Sequence, residues 1–184
     1  MKIILQPLLS HISSLDKKAK IGIFAAAFLL VLFAASKMAF WVLVFIFAAS
    51  VAEIYNAYVR TPLHLDLVKL GTILTAAAYG APAGIFVGLT STFFAKLFSL
   101  RLDFRIVISF AGIIVIAILA NAFSNVPIKI LGIALVVVYY LITSPIDLLM
   151  GVEPAYAVVY VGSSLLVNAT LFIAVAPSLA GMLH

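Results

Sequence analysis

The sequence contains no cysteine, which excludes disulfide bonds, iron–sulfur clusters, thiolate metal sites and a cysteine nucleophile. Charged residues are also scarce. They make up only 9% of the chain, against about 25% in an ordinary soluble domain. The three histidines, His11, His64 and His184, lie far apart and lack the spacing of metal ligands. No Ser-His-Asp, paired-carboxylate, His-Glu-x-x-His or phosphate-loop pattern is present. We therefore expect no enzyme, no metal site and no cofactor.

Apolar residues dominate what is present. They make up 66% of the 184 residues, and the mean hydropathy is +1.33. Because so few polar side chains are left to face water, the composition predicts an all-α, polytopic helical bundle in the cell membrane, a single membrane domain over 1–184. The lipid bilayer is then its first partner. In such a chain the net charge of +5 reports the orientation of loops rather than binding to nucleic acid.

Charged and turn-forming residues divide the chain into apolar segments. Residues 1–15 have a helical period and predict an amphipathic helix on the bilayer surface, although a frayed tail fits them equally well. Residues 19–36 predict an additional N-terminal span, and 38–177 predict a core of six helices. The six core segments are 38–59, 65–79, 82–100, 104–123, 126–143 and 154–177.

The segment 65–79 is short for a span, because 15 residues make a helix of only about 22 Å. It therefore lies in thin membrane, is completed by its flanks, or is a re-entrant element buried by its neighbours.

Small residues recur where helices are expected to touch. Gly80, Gly84 and Gly88 lie four residues apart, and such a stripe lets two helix backbones approach closely in lipid. Ala48 and Ala52 form a second small-residue face. We interpret both faces as surfaces for packing against partner helices.

The ionic residues sort to one side of the predicted bundle. When the segments are counted from the N-terminus, every lysine and arginine except Lys37 and Lys129 falls on one side of the membrane. Asp16, Asp66, Asp103, Asp147 and Glu153 fall on the same side. The positive-inside rule makes this side cytoplasmic, with the N-terminus inside and the C-terminus outside.

Several polar residues interrupt the apolar segments. Glu53, with Asn56, predicts a proton or cation site, or else a carboxylate close enough to the interface to be wetted. Asn168 lies inside the last segment, where its amide most commonly hydrogen-bonds to another helix. The stretch 143–154 combines two acids and two prolines and is followed by Tyr156 and Tyr160, which is typical of a binding loop and equally of an ordinary turn.

Three stretches carry a resemblance to a known family: Leu63-His-Leu-Asp-Leu-Val-Lys-Leu70, the Tyr79-Gly-Ala-Pro-Ala-Gly84 hinge leading to Val87-Gly88, and a last helix with Gly162, Asn168 and Pro177. From Met38 onward the chain resembles the substrate-binding (S) component of energy-coupling-factor transporters, small six-helix proteins that capture vitamins or metal ions for uptake. The resemblance implies a small-molecule ligand, a membrane coupling protein and two ATPases as partners. It also implies a substrate site formed by Asn56, Arg60, His64, Asp147, Glu153, Tyr156 and Asn168.

Two departures keep other functions open. The span 19–36 is extra, and the family's topology would place most lysines and arginines outside the cell, against the positive-inside rule. The rod-shape-determining D family, whose members are non-catalytic scaffolds, has a similar layout, although 89–93 lacks the acidic residue expected there. The leading hypothesis is therefore a substrate-capture subunit. The alternatives are a scaffold subunit of a larger complex and a gradient-driven carrier centred on Glu53.

Overall fold

A computed structural model describes residues 36–58, 66–98 and 104–183. The chain divides into two compact units, Met1–Phe40 and Trp41–His184, and the description below concerns the second. Within the described ranges the structure is helical and contains no strand, which confirms the all-α prediction. The helices are α1 (Lys37–Tyr58), α2 (Leu67–Tyr79), α3 (Ala81–Phe98), α4 (Arg105–Ala122), α5 (Ile128–Leu149), α6 (Pro154–Ala174) and α7 (Ala176–Leu183). The predicted surface helix 1–15 and the additional span 19–36 lie outside the described residues.

Three of the described helices, α4, α5 and α6, are long and apolar enough to cross a membrane, and α1, α2 and α3 contribute shorter apolar helices. Large apolar side chains on these helices point away from the bundle. They include Phe47 at 73% exposure, Leu141 at 69% and Val158 at 72%. Side chains of this kind are stable facing lipid and costly facing water, so the protein is a membrane protein by its surface as well as its composition.

The short helix α2 is the centre of the bundle. Eight consecutive residues, from Lys69 to Ala76, are buried, so that the helix is covered on all sides. It packs against α3, α4, α5, α6 and α7, and it touches α1 where Gly71 meets the Phe45 side chain. A helix that is buried all round belongs to the interior. Its 13 residues span about 20 Å, and its neighbours rather than lipid enclose it.

The predicted hinge joins α2 to α3. Gly80 has φ +96°, a left-handed conformation that residues with a side chain rarely adopt, and it ends α2. The next helix folds back so closely that a Cβ added at Gly84 would lie 2.7 Å from the Thr72 carbonyl oxygen. Gly88 likewise faces Thr72 and Ile113. The two segments therefore pack together as the glycine spacing predicts, within one chain.

Two segment ends differ from the sequence prediction. The segment 126–143 was expected to end at Thr143, but α5 continues to Leu149 and contains Pro145. The predicted loop 143–154 is therefore wrong over its first half, and only 150–153 form the turn. Proline is tolerated inside such a helix because neighbouring groups compensate for the lost hydrogen bond. The segment 154–177 is also divided, with α6 ending at Ala174 and α7 starting at Ala176.

Candidate functional site

A buried ion pair lies at the start of α2. The Lys69 Nζ donates to a carboxylate oxygen of Asp66, three residues earlier. Asp66 is only 8% exposed and Lys69 only 3% exposed. A buried charge is stable only when it is paired and hydrogen-bonded, so these two residues depend on each other.

Two tyrosines of α5 complete the surroundings of Lys69. Its Nζ donates to the Tyr140 hydroxyl at 3.1 Å and lies 4.3 Å from the centre of the Tyr139 ring. An ammonium group over a tyrosine ring is attracted by the electron-rich face, and this attraction is strongest where water is excluded. Lys69 is thus held by an acid, a hydroxyl and an aromatic ring at once.

A line of hydrogen bonds continues from Tyr140 into α6. The Tyr140 hydroxyl donates to the Ser164 Oγ. Asn168 Nδ2 donates to the Ser164 backbone carbonyl at 2.9 Å. The Asn168 Oδ1 is buried and has no hydrogen-bond partner among the described residues. We call Asp66, Lys69, Tyr140, Ser164 and Asn168 the buried polar line.

A cavity of about 70 Å³ opens beside the start of this line. A water molecule needs about 10–15 Å³ of cavity volume, so there is room for about five waters or for a solute of similar size. The polar side chains of the lining offer an acid, two amines and four hydroxyls. The lining consists of Asp66, Val68, Lys69, Thr92, Ala95, Lys96, Ser109, Ile113, Tyr139 and Tyr160.

The cavity brings together five helices at one end of the bundle. Asp66 precedes α2, Lys96 is near the end of α3 and Ser109 near the start of α4. Tyr139 lies in the second half of α5, and Tyr160 lies in the second turn of α6. The starts of some helices and the ends of others meet at this cavity, so successive helices run antiparallel.

Four of the residues expected at the substrate site lie outside the lining of the cavity. Asp147 is half-buried and Glu153 is exposed. Tyr156 is 61% exposed, and its ring stacks on that of Tyr160 at 6.2 Å. Asn168 is buried deeper along α6. None of these four residues lines the cavity. Of the remaining predicted residues, Arg60 and His64 lie outside the described ranges, and Glu53 and Asn56 belong to α1 although their side chains are not described.

Of the predicted packing residues, Gly84 and Gly88 meet α2 of the same chain. Ala52 is buried and Ala48 is half-buried.

Sequence reasoning identified Asn168 but missed most of the other residues that form the site. Lys69 was counted among surface charges, although its position three residues after Asp66 on an apolar helix is a signal for a buried pair. Tyr160, Ser164, Asn168 and Phe172 lie four residues apart, which places them on one face of a helix. That face is the one that α6 turns toward the core, where Ser164, Asn168 and Phe172 are buried.

Comparison of the chain with protein-family models, with curated proteins and with solved structures finds no match. Among the described residues, no three histidine, aspartate or glutamate side chains are grouped as a metal site requires. The function is therefore argued from the cavity and the buried polar line.

Proposed function

We propose that this protein is a multi-pass subunit of the cell membrane that captures a small polar solute in the cavity between α2, α3, α4, α5 and α6. One observation carries the proposal: a bundle with an apolar surface keeps a space lined by charged and hydroxyl side chains. Polar groups placed in an apolar interior cost free energy unless they are satisfied, and a ligand that bonds to them offsets that cost.

The wider arrangement in this proposal follows the resemblance to S components. It comprises a six-helix core, one additional N-terminal span and no enzymatic activity of its own. A membrane coupling protein and two ATPase subunits would supply the energy for uptake. The hinge at Gly80 and the close α2–α3 pair lie in the stretch on which the resemblance rests.

Filling the cavity tests the proposal. Ala95 lines the cavity and is 4% exposed, so Ala95→Leu would place a larger apolar side chain into it. Ala111 is an exposed residue of α4, and Ala111→Leu makes the same chemical change on the outer surface. We expect small molecules extracted from the purified wild type and from Ala111→Leu, identified by mass spectrometry, to be absent from Ala95→Leu.

Equal amounts of the same molecule in all three proteins would place binding elsewhere and overturn the role of the cavity. Thermal unfolding in the same detergent must show that Ala95→Leu is folded, because overpacking alone destabilises a protein by about 1–3 kcal/mol.

A second candidate is a scaffold subunit, similar in role to the rod-shape-determining D family. The small cavity favours it, since 70 Å³ is far below the volume a vitamin-sized ligand needs, which is about 300 Å³ or more. A wild-type protein that carries no solute, yet co-purifies with the same membrane partners as Ala95→Leu, would favour the scaffold. The carrier hypothesis stays a prediction, because the side chain of Glu53 is not described.

A further inference from the structure

The tip of the hairpin that α5 and α6 form is packed less firmly than the rest of these two helices. Residues 144–163 comprise the end of α5, the turn and the first half of α6, and none of them is buried. Thr143 and Ser164, which flank this stretch, are 4% and 0% exposed. In lipid, helices are held together by close packing rather than by escape from water. We call residues 144–163 the hairpin tip, because few close contacts hold them to the bundle.

Both helices are weakened where the hairpin tip begins. Pro145 lies inside α5 and has no N–H, so the Leu141 carbonyl loses its usual helical hydrogen bond. Gly162 lies inside α6 and is followed by serine, and glycine is a poor helix former. Tyr140 and Ser164 are hydrogen-bonded across these antiparallel helices, which places Gly162 opposite the turn between Leu141 and Pro145. Sharp bends in helices occur mostly at proline and at Gly/Ser pairs, so the two helices can bend at the same level.

The hairpin tip carries one wall of the cavity. Tyr160 lies in the tip and lines the cavity, whereas the other lining residues belong to the start of α2, to α3 and α4, and to the part of α5 before Pro145. The Tyr160 ring makes an edge contact with the Tyr140 ring at 6.3 Å, so the boundary between tip and bundle runs between these rings. A bend at the base of the tip would therefore move Tyr160 and leave the rest of the lining in place.

We propose that the hairpin tip is the gate of the cavity, and that it bends about Pro145 and Gly162 to move Tyr160 away from the lining and admit the solute. The inference rests on the proposed function and names the part of the chain that controls access to the same site. Pro145→Ala returns an N–H to the Leu141 carbonyl, and Gly162→Ala gives α6 a better helix former. The two substitutions together should stiffen the hairpin and keep the gate closed for longer.

A thiol inside the cavity reports how often the gate opens. The chain has no cysteine, and Ala95→Cys places a single thiol in the lining. The probe is iodoacetamide, a small neutral reagent, and mass spectrometry of the intact protein in nanodiscs follows the alkylation. We expect alkylation to be about tenfold slower when Pro145→Ala and Gly162→Ala are both present, because the closed helices are then more stable. Either hinge substitution alone is expected to slow it by a smaller factor.

The helix α7 offers a matched control. Pro177→Ala/Gly181→Ala makes the same pair of changes there, where Pro177 lies in the first turn and a Cβ at Gly181 meets nothing within 4 Å. We expect this pair to leave the alkylation of the Ala95→Cys thiol unchanged. A thiol at Ser124→Cys, exposed at the other end of the bundle, is expected to react at one rate with or without the hinge substitutions.

The outcomes separate the gate from the proposed function. Equal alkylation of the Ala95→Cys thiol with and without the hinge substitutions would overturn the gate and leave capture intact. Equal slowing by Pro177→Ala/Gly181→Ala would also overturn it, because any stabilised helix would then close the cavity. Equal amounts of extracted solute in Ala95→Leu and Ala111→Leu would instead overturn capture in this cavity, whatever the rate of alkylation.

Discussion

The free energy of burying Lys69 explains the side chains around it. An ammonium group removed from water is unstable unless an opposite charge and hydrogen-bond acceptors replace its hydration. Asp66 supplies the charge, Tyr140 the acceptor at 3.1 Å, and the ring of Tyr139 a further attraction at 4.3 Å. Asp66 is the residue before α2, and the two tyrosines belong to α5, so the contacts of the lysine hold the start of α2 against α5.

Removing only one member of the ion pair should be far worse than removing both. Lys69→Met removes the lysine from the buried carboxylate of Asp66, and we expect it to lower the free energy of unfolding by about 3–5 kcal/mol. The double variant Asp66→Asn/Lys69→Met removes both charges and is expected to recover most of that loss. Thermal unfolding followed by circular dichroism in one detergent measures the difference. Equal stabilities of the single and double variants would show that the charges are not coupled.

The sequence indicated that polar residues would matter inside this bundle, but it did not identify which ones. Asn168 was singled out, and it is buried on the polar line. Asp147 and Glu153 drew notice as acids near prolines, yet they are more exposed than Lys69. The difference arises because burial depends on how helices pack against one another. A tally of charges along the chain cannot distinguish a lysine on a loop from one inside the bundle.

At the scale of helices, periodicity and turn chemistry predicted most boundaries. α2, α3 and α4 begin and end within two residues of the predicted segments, because Gly80 and the charged connections end them for local reasons. The end of α5 was missed because the predicted segment ended at Thr143, before Pro145, whereas α5 continues to Leu149. Thr143, two residues earlier, is buried against the bundle, and packing of this kind carries the helix past the proline. Rules that predict helix ends from neighbouring residues in the sequence take no account of such a contact with other helices.

The α2–α3 hairpin should be intolerant of a single methyl group. The Cβ of Gly84→Ala would lie 2.7 Å from the Thr72 carbonyl oxygen, a backbone atom that cannot turn aside. We expect a loss of about 1–3 kcal/mol in the free energy of unfolding as the two helices are forced apart. Gly162 is the control, because a Cβ there, within α6, meets nothing within 4 Å. Gly162→Ala is expected to be neutral or to stabilise by up to about 1 kcal/mol. Equal unfolding midpoints for Gly84→Ala and Gly162→Ala would contradict this close packing.

At the scale of the whole molecule, the cavity changes how the distribution of charge is understood. Lys69 and Lys96 line a cavity inside the bundle, so they do not count as the loop charges on which the positive-inside rule depends. The remaining cations still favour a cytoplasmic cavity end. Capture of a solute from outside requires the opposite orientation. The positive-inside rule and the capture of an external solute therefore predict opposite orientations of the bundle. The sequence alone could not decide between them.

The orientation of the bundle can be measured by labelling a single introduced cysteine, because the chain has no other thiol that could react. Glu153 is exposed at the start of α6 on the cavity end, and Ser124 is exposed in the α4–α5 turn at the opposite end. We expect Glu153→Cys in whole cells to react with a membrane-impermeant maleimide, and Ser124→Cys to react only after the membrane is opened. This pattern follows because a capture subunit must present its cavity to the outside. The reverse pattern would turn the cavity toward the cytoplasm, rule out uptake from outside and leave the scaffold as the better function. Reaction of both thiols from one side would contradict the antiparallel crossing itself.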